Sequence, residues 1–153
     1  MRERARKSVM VSCGVAIGAL CTLSAGQNLP PASECPQPRF TGKAPDEYYT
    51  RTNPLTGDKV DLAAAERLYL GRRGEFGCAA CHGGKGDGKG PMAEHFNPPP
   101  RNFACAQTVN GIPDGQLFWI IRYGSPGTAM PAHPKLSENQ IWQLVLYLRQ
   151  LAR

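Results

Sequence analysis

The clearest hydrophobic rhythm lies at the C-terminal end of the chain. Ile141, Leu144, Val145, Leu148 and Leu151 recur at i, i+3, i+4, i+7 and i+10, which is one stripe of a helix. Ser137-Glu138-Asn139-Gln140 stands just ahead of it as a capping box. A second apolar run, Leu117, Phe118, Ile120, Ile121 and Tyr123, follows Asp114, which can serve as its N-cap, and stops at Gly124. A third runs from Leu62 to Leu70 behind Asp61, with Leu62, Ala65 and Tyr69 on one face and Gly71 and Gly74 after it. No run has the alternation of a strand, and no internal repeat is present. The connections are loops: Gly83–Gly90 holds five glycines in eight residues, and Asn97–Asn102 is stiffened by three prolines. Upstream, Pro30, Pro31, Pro36, Pro38, Pro45 and Pro54 interrupt residues 27–58, so no long helix fits there. That stretch reads as an extended arm, with Phe40, Tyr48 and Tyr49 able to pack on a surface. The pattern predicts an all-α domain over residues 59–153 behind a Pro-rich arm.

The first 26 residues are a different kind of segment. Met1–Lys7 is basic, Val9–Leu23 is mostly apolar over 15 residues, and Ser24-Ala25-Gly26 offers small residues for cleavage. This is the layout of a secretory signal peptide. Gly14, Gly18 and Ser12 weaken a spanning helix, which needs about 20 apolar residues; a retained N-terminal anchor is the alternative. A lipoprotein signal fits less well, because Leu20 precedes Cys21 and Cys13 comes too early. The formal charge is +6, but residues 1–26 carry four of the 18 basic groups and one of the 12 acids. The remainder is +3, too mild a balance for nucleic-acid binding.

Cys78-Ala79-Ala80-Cys81-His82 carries the chemistry. A C-x-x-C pair can be a redox disulfide or half of a zinc site. A zinc ribbon needs a second Cys pair, which the isolated Cys35 and Cys105 do not supply, and no βαβ pattern supports a thioredoxin-like site. C-x-x-C-H is instead the attachment signature of a c-type haem. Thiols three positions apart reach the two vinyl groups of one porphyrin, and the next residue, His82, falls under the iron as an axial ligand. One such motif implies one covalent haem. Covalent haem is added outside the bacterial inner membrane, so the motif and the leader agree on a periplasmic, exported protein. There, Cys35 and Cys105 remain once the motif and the leader have taken the other four cysteines. The preferred reading is a disulfide between them, tying the arm to the domain; the alternative is two free or partner-linked thiols.

The order helix, C-x-x-C-H, Gly/Pro loops, helix, methionine loop and C-terminal helix resembles the class I c-type cytochromes. Ala65-x-x-x-Tyr69 resembles the small-residue/aromatic pair of that family's N-terminal helix, and Tyr147 its crossing partner. Gly90-Pro91 resembles the Gly-Pro whose carbonyl holds the proximal histidine. Ile121-x-x-Gly124 and Gly127-Thr128-Ala129-Met130-Pro131 resemble the segment that delivers a distal methionine. The likeness covers about residues 60–153 and is strongest to small bacterial cytochromes c and oxidase- or dehydrogenase-associated haem domains. It implies three to four helices around one covalent haem c, held through Cys78 and Cys81, with His82 and Met130 as the iron ligands.

Met130 lies about fifty residues after the motif, in a loop bounded by Pro and Gly. As a soft thioether it raises the reduction potential relative to a second imidazole. Its rivals are Met92, only ten residues past His82, and His95 and His133, of which His133 is the closer competitor. Arg101, after the proline triplet, is a candidate partner for a haem propionate. Phe96, Phe103, Leu117, Ile120 and Trp119 are candidate pocket residues. Arg72, Arg73, Lys85, Lys89 and Lys135 flank the haem-bearing segments and would steer docking onto acidic partners.

With both axial positions filled, the iron has no place for a substrate. The sequence therefore reads as an electron carrier without a catalytic residue of its own. Its partners would be a quinol:cytochrome c oxidoreductase, a terminal oxidase, a photosynthetic reaction centre or a dehydrogenase, with membrane association through the N-terminus as an added contact. The alternative is a haem c subunit of a larger dehydrogenase, sulfur-oxidation or terminal oxidase complex.

Overall fold

Two crossed helices form the frame on which the rest is hung. The computed structural model describes residues 34–37, 41–73 and 76–153. The leader (1–26), arm residues 27–33 and 38–40 (Phe40 among them) and the helix-stop position Gly74 lie outside them. The elements are α1 (Asp46–Tyr49), α2 (Leu62–Leu70), α3 (Ala79–His82), α4 (Ala106–Val109), α5 (Asp114–Tyr123) and α6 (Glu138–Leu151). Single 3-10 turns cover Gly57–Lys59 and Ala93–His95. No strand occurs among the described residues.

Helix α2 starts where Asp61 accepts a hydrogen bond from the Ala64 N–H, satisfying one of the unpaired amides of the first turn. Helix α6 starts on the full capping box: the Ser137 side chain accepts from the Gln140 N–H, and the Gln140 side chain accepts from the Ser137 N–H. The two helices cross with Ala65 almost fully buried and the Tyr69 and Tyr147 rings 5.2 Å apart. The small side chain at Ala65 lets the backbones approach, and the rings fill the space beside it. Helix α5 ends at Gly124, which has φ 82° as its cap. Its start differs from the sequence reading. Asp114 is the first helical residue, behind Pro113, and makes no cap bond. Its carboxylate instead receives Arg149 Nε and Nη2 at 3.1 and 2.7 Å, joining α5 to α6. The same guanidinium donates to the carbonyls of Val109 and Ile112, so one side chain of α6 also closes the end of α4.

The core is one cluster that includes Leu55, Ala65, Tyr69, Val109, Phe118, Ile141, Trp142 and Val145. The Phe118 and Trp142 rings lie 4.5 Å apart, tilted by 34°, with the Arg51 guanidinium over both. The described part of the arm lies on this core. Ala44 is buried, and Tyr48 stacks on Phe118 and bonds the Tyr123 hydroxyl at 2.5 Å. Close approach of α1 is possible because Gly115 has no Cβ; one there would collide with the Tyr48 carbonyl. Cys35 and Cys105 form a disulfide, with Cα atoms 5.6 Å apart, which pins the Cys35–Gln37 stretch of the arm beside α4.

A candidate haem-binding cavity

Helix α3 is a single turn made by the Cys78–His82 run itself. A turn of helix puts Cys78, Cys81 and His82 side by side. The following glycine loop folds back on it. The Gly90 N–H donates to Cys81 O at 3.1 Å, and a Cβ on Gly90 would strike the carbonyl oxygens of Ala79 and Ala80. Glycine is therefore required there for close approach. The Gly88 N–H donates to His82 O at 2.9 Å, and the Met92 N–H to Ala80 O at 2.9 Å.

Above this turn the chain encloses a cavity of about 950 Å³. Cys78, Cys81, His82 and Met130 all line it. The wall is mostly apolar, from Phe96, Phe103, Leu117, Ile120, Ile121 and Leu148 among others. Four of the five pocket candidates thus lie on the cavity. Trp119 does not; it packs against Tyr123, ring centroids 6.1 Å apart, on the other side of α5. Of the rivals to Met130, Met92 and His133 also line the cavity. His95 lies 3.8 Å from the Glu94 carboxylate, both largely exposed.

His82 is 8% exposed, and its ring stacks on Phe103 at 4.4 Å and 23°. Its Nδ1 lies 3.0 Å from the carbonyl oxygen of Arg101. The resemblance pointed to the carbonyl of Pro91; the acceptor at this nitrogen is Arg101 O. The physical reason is the proline triplet. Pro98–Pro100 restrict φ at the three residues before Arg101, which stiffens the backbone that brings its carbonyl to the imidazole. The Arg101 side chain lines the cavity as well, with Nη1 donating to Gln37 O at 2.9 Å and Nη2 to Thr41 Oγ1 at 2.9 Å. Arm residues Pro36, Gln37, Thr41, Lys43 and Tyr49 complete that wall. Sequence reasoning missed this role of the arm, because glutamine and threonine carry no burial signal.

Cys78 and Cys81 are free thiols, not paired with one another. Burial pushes the Cys78 thiol up to about 11 and raises Cys81 more mildly, so both are held as neutral thiols. Burial likewise lowers His133, which stays a neutral imidazole at neutral pH. Among the described residues no three His, Cys, Asp or Glu side chains gather as a metal site. The zinc reading of Cys78 and Cys81 therefore has no third ligand of those types. The donors that line the cavity are the thiols of Cys78 and Cys81, the imidazoles of His82 and His133 and the thioethers of Met92 and Met130, around a large apolar space. That is the chemistry and the size range of a site for a bulky, mostly apolar prosthetic group. No helix of the described residues is long and apolar enough to cross a membrane.

The family model described as cytochrome c oxidase, cbb3-type, subunit III matches residues 61–148. Among solved structures, the chain is similar to a component of the Kuenenia stuttgartiensis reducing HAO-like protein complex Kustc0457/Kustc0458. The two are 25% identical, with a TM-score of 0.50 over 60% of this chain and 44% of that one. The chain thus spans less than half the length of that relative. No curated protein matches it.

Proposed function

The chain belongs to the family of cytochrome c oxidase, cbb3-type, subunit III, a family of c-type cytochromes that bind haem c covalently and transfer electrons; from that premise we propose that it carries single electrons on one haem with His/Met ligation. Cys78 and Cys81 would form the thioethers, His82 Nε2 the proximal ligand and Met130 Sδ the distal one. The convergence of these four side chains on one cavity carries the reading. When bound, the haem supplies a one-electron iron couple whose potential the soft thioether raises. The protein's own task is to hold the ligands still. Arg101 O orients His82, and Phe103 stacks on its ring. The Thr128 hydroxyl braces the methionine loop by accepting from Met130 N at 3.2 Å and donating to Ser125 O at 2.8 Å. Arg101, which lines the cavity, would pair with a haem propionate.

Electrons would enter and leave at the cavity mouth beside Cys78. Phe76 lines the cavity and is 86% exposed, and Leu70 is 47% exposed. Arg72, Arg73 and Lys85 stand exposed in the adjoining loops. An apolar contact ringed by positive charge suits an acidic redox protein. We place the protein outside the cytoplasm, as the leader and the Cys35–Cys105 bridge favour. A quinol:cytochrome c oxidoreductase, a terminal oxidase, a reaction centre or a dehydrogenase would fit as partner. A second reading has a specific support. The family is named for an oxidase subunit, and the solved relative sits in a complex. On that reading this chain is a haem c subunit with the same ligands.

The ferric protein should show the weak sulfur-to-iron charge-transfer band at the red edge of the visible spectrum. The ferrous protein should bind carbon monoxide slowly. Met130→Ala should abolish the band, lower the potential and speed carbon monoxide binding. An unchanged spectrum in that variant would refute the ligand assignment and move it to His133 or Met92.

A further inference from the structure

The arm reaches the proximal histidine through one buried side chain. Gln37 is 3% exposed, and three of its four hydrogen-bonding groups meet the Pro100–Asn102 segment that supports His82, the fourth meeting Thr108 on α4. Its N–H donates to Thr108 Oγ1 at 2.9 Å, and its Nε2 donates to Pro100 O at 3.3 Å. Its Oε1 accepts from the Asn102 N–H at 3.1 Å, and its carbonyl accepts from Arg101 Nη1 at 2.9 Å. The Gln37 amide thus brackets Arg101, holding the backbone of the residue on each side. Arg101 O is the carbonyl that faces His82 Nδ1, and Phe103, the next residue but one, stacks on the same ring. Two residues before Gln37, Cys35 is bridged to Cys105.

Burying an amide side chain gains little net stability, because its bonds mostly replace bonds to water. What a fully satisfied buried polar group contributes is a fixed position. We propose that Gln37 is a positioning residue for His82: clamped by the Cys35–Cys105 bridge, it fixes the Pro100–Asn102 backbone so that the Arg101 carbonyl sets the orientation and basicity of the imidazole. The inference rests on the reading that His82 ligates the iron. A hydrogen bond from Nδ1 to a carbonyl makes the imidazole a stronger donor and favours the ferric state. Loosening that carbonyl weakens the donor and favours the ferrous state. The arm, lying outside the segment that matches the family, would then tune the potential of the site.

The test is Gln37→Met in the haem-loaded full chain, which keeps the length of the side chain and removes its donor and acceptor. We expect a higher midpoint potential, with the ferrous-to-ferric ratio at fixed potential raised up to about tenfold, or 59 mV for one electron. The His82 ring resonances of the low-spin ferric protein should shift as well. The Cys35→Ser/Cys105→Ser double variant should move both readouts the same way by less. A Gln37→Met protein that is merely less stable, with potential and ring resonances unchanged, overturns the proposal. If Gln37→Met does not load haem, Thr108→Val and the double-serine variant decide by the same two readouts. A wild-type ferric spectrum without a histidine ligand would instead remove the underlying ligand assignment, and this inference with it.

Discussion

Replacing both Cys35 and Cys105 by serine should cost the protein about 4 kcal/mol. The two cysteines are 70 positions apart, so the bridge closes a loop that contains the α2 helix, the haem-attachment turn and the proline triplet. In the chain-entropy account, a crosslink over about 70 residues removes near 15 cal/mol/K from the unfolded ensemble, or about 4 kcal/mol at 25 °C. Covalent haem does not duplicate this constraint, since both of its attachment points lie inside the loop. For a domain of this size the loss corresponds to a melting temperature roughly 15 °C lower. Guanidinium unfolding of the oxidised, haem-loaded pair of proteins is the assay, followed by far-ultraviolet circular dichroism. The midpoint should fall. The denaturant dependence should steepen, because an unbridged unfolded chain exposes more surface. Stability within about 1 kcal/mol of wild type, with the same slope, would mean that the bridge does not restrict the unfolded chain, and the reasoning would fail.

Two further outcomes are expected. Phe76→Ser, or Arg72→Glu with Arg73→Glu, should slow electron exchange with an acidic redox partner about tenfold, and the charge reversal should flatten its dependence on ionic strength; unchanged stopped-flow rates would place the docking surface elsewhere. His133 is held below its ordinary value by burial, so on acidification the unfolded chain takes up the proton first. Its contribution is fully present above the unfolded pKa of about 6.5 and is lost as pH falls towards the lower folded value. Wild type should therefore lose stability more steeply than His133→Gln between about pH 7 and 5, and parallel unfolding curves would contradict this.

What the sequence made legible follows from the range of each signal. The α2 and α6 helices could be read because nine and fourteen residues give the apolar period time to repeat, and because Asp61 and Ser137 cap within their own first turns. The α1, α3 and α4 turns have four residues each, too short for any period. Asp114 misled because a carboxylate before an apolar run serves equally as a cap or as a first-turn residue. Its actual partner, Arg149, lies 35 positions away and leaves no local trace. The cavity divides in the same way. Cys78, Cys81 and His82 could be named because their spacing is itself the chemistry. The acceptor for His82 Nδ1 is a main-chain carbonyl, which every residue possesses and no sequence distinguishes. Gln37 was invisible for the complementary reason, being a residue usually found at the surface.

An extended segment can lie on a core only if its backbone polar groups find partners, and this arm has no sheet to supply them. Gln116 takes that role for the arm, and two further buried glutamines pair loop backbone of the domain in the same way. Gln37 bridges Pro100 O and Asn102 N; Gln116 on α5 accepts from the Ala44 N–H at 2.7 Å and donates to Gly42 O at 2.9 Å. Gln143 on α6 accepts from the Asp61 N–H at 2.9 Å and donates to Lys59 O at 2.7 Å. Each amide presents one donor and one acceptor side by side, as a neighbouring strand would, and so replaces a rung of ladder. The consequence can be tested at Gln116, which is remote from His82 in the hydrogen-bond scheme. Gln116→Leu keeps the apolar bulk but leaves the buried Ala44 N–H and the Gly42 carbonyl unpaired, a loss of about 3 kcal/mol. Hydrogen exchange should show the Ala44 amide losing its protection while the amides of α6 keep theirs under native conditions. If Ala44 stays protected in that variant, the glutamine is not what holds the arm, and the packing of Tyr48 on Phe118 alone must account for it.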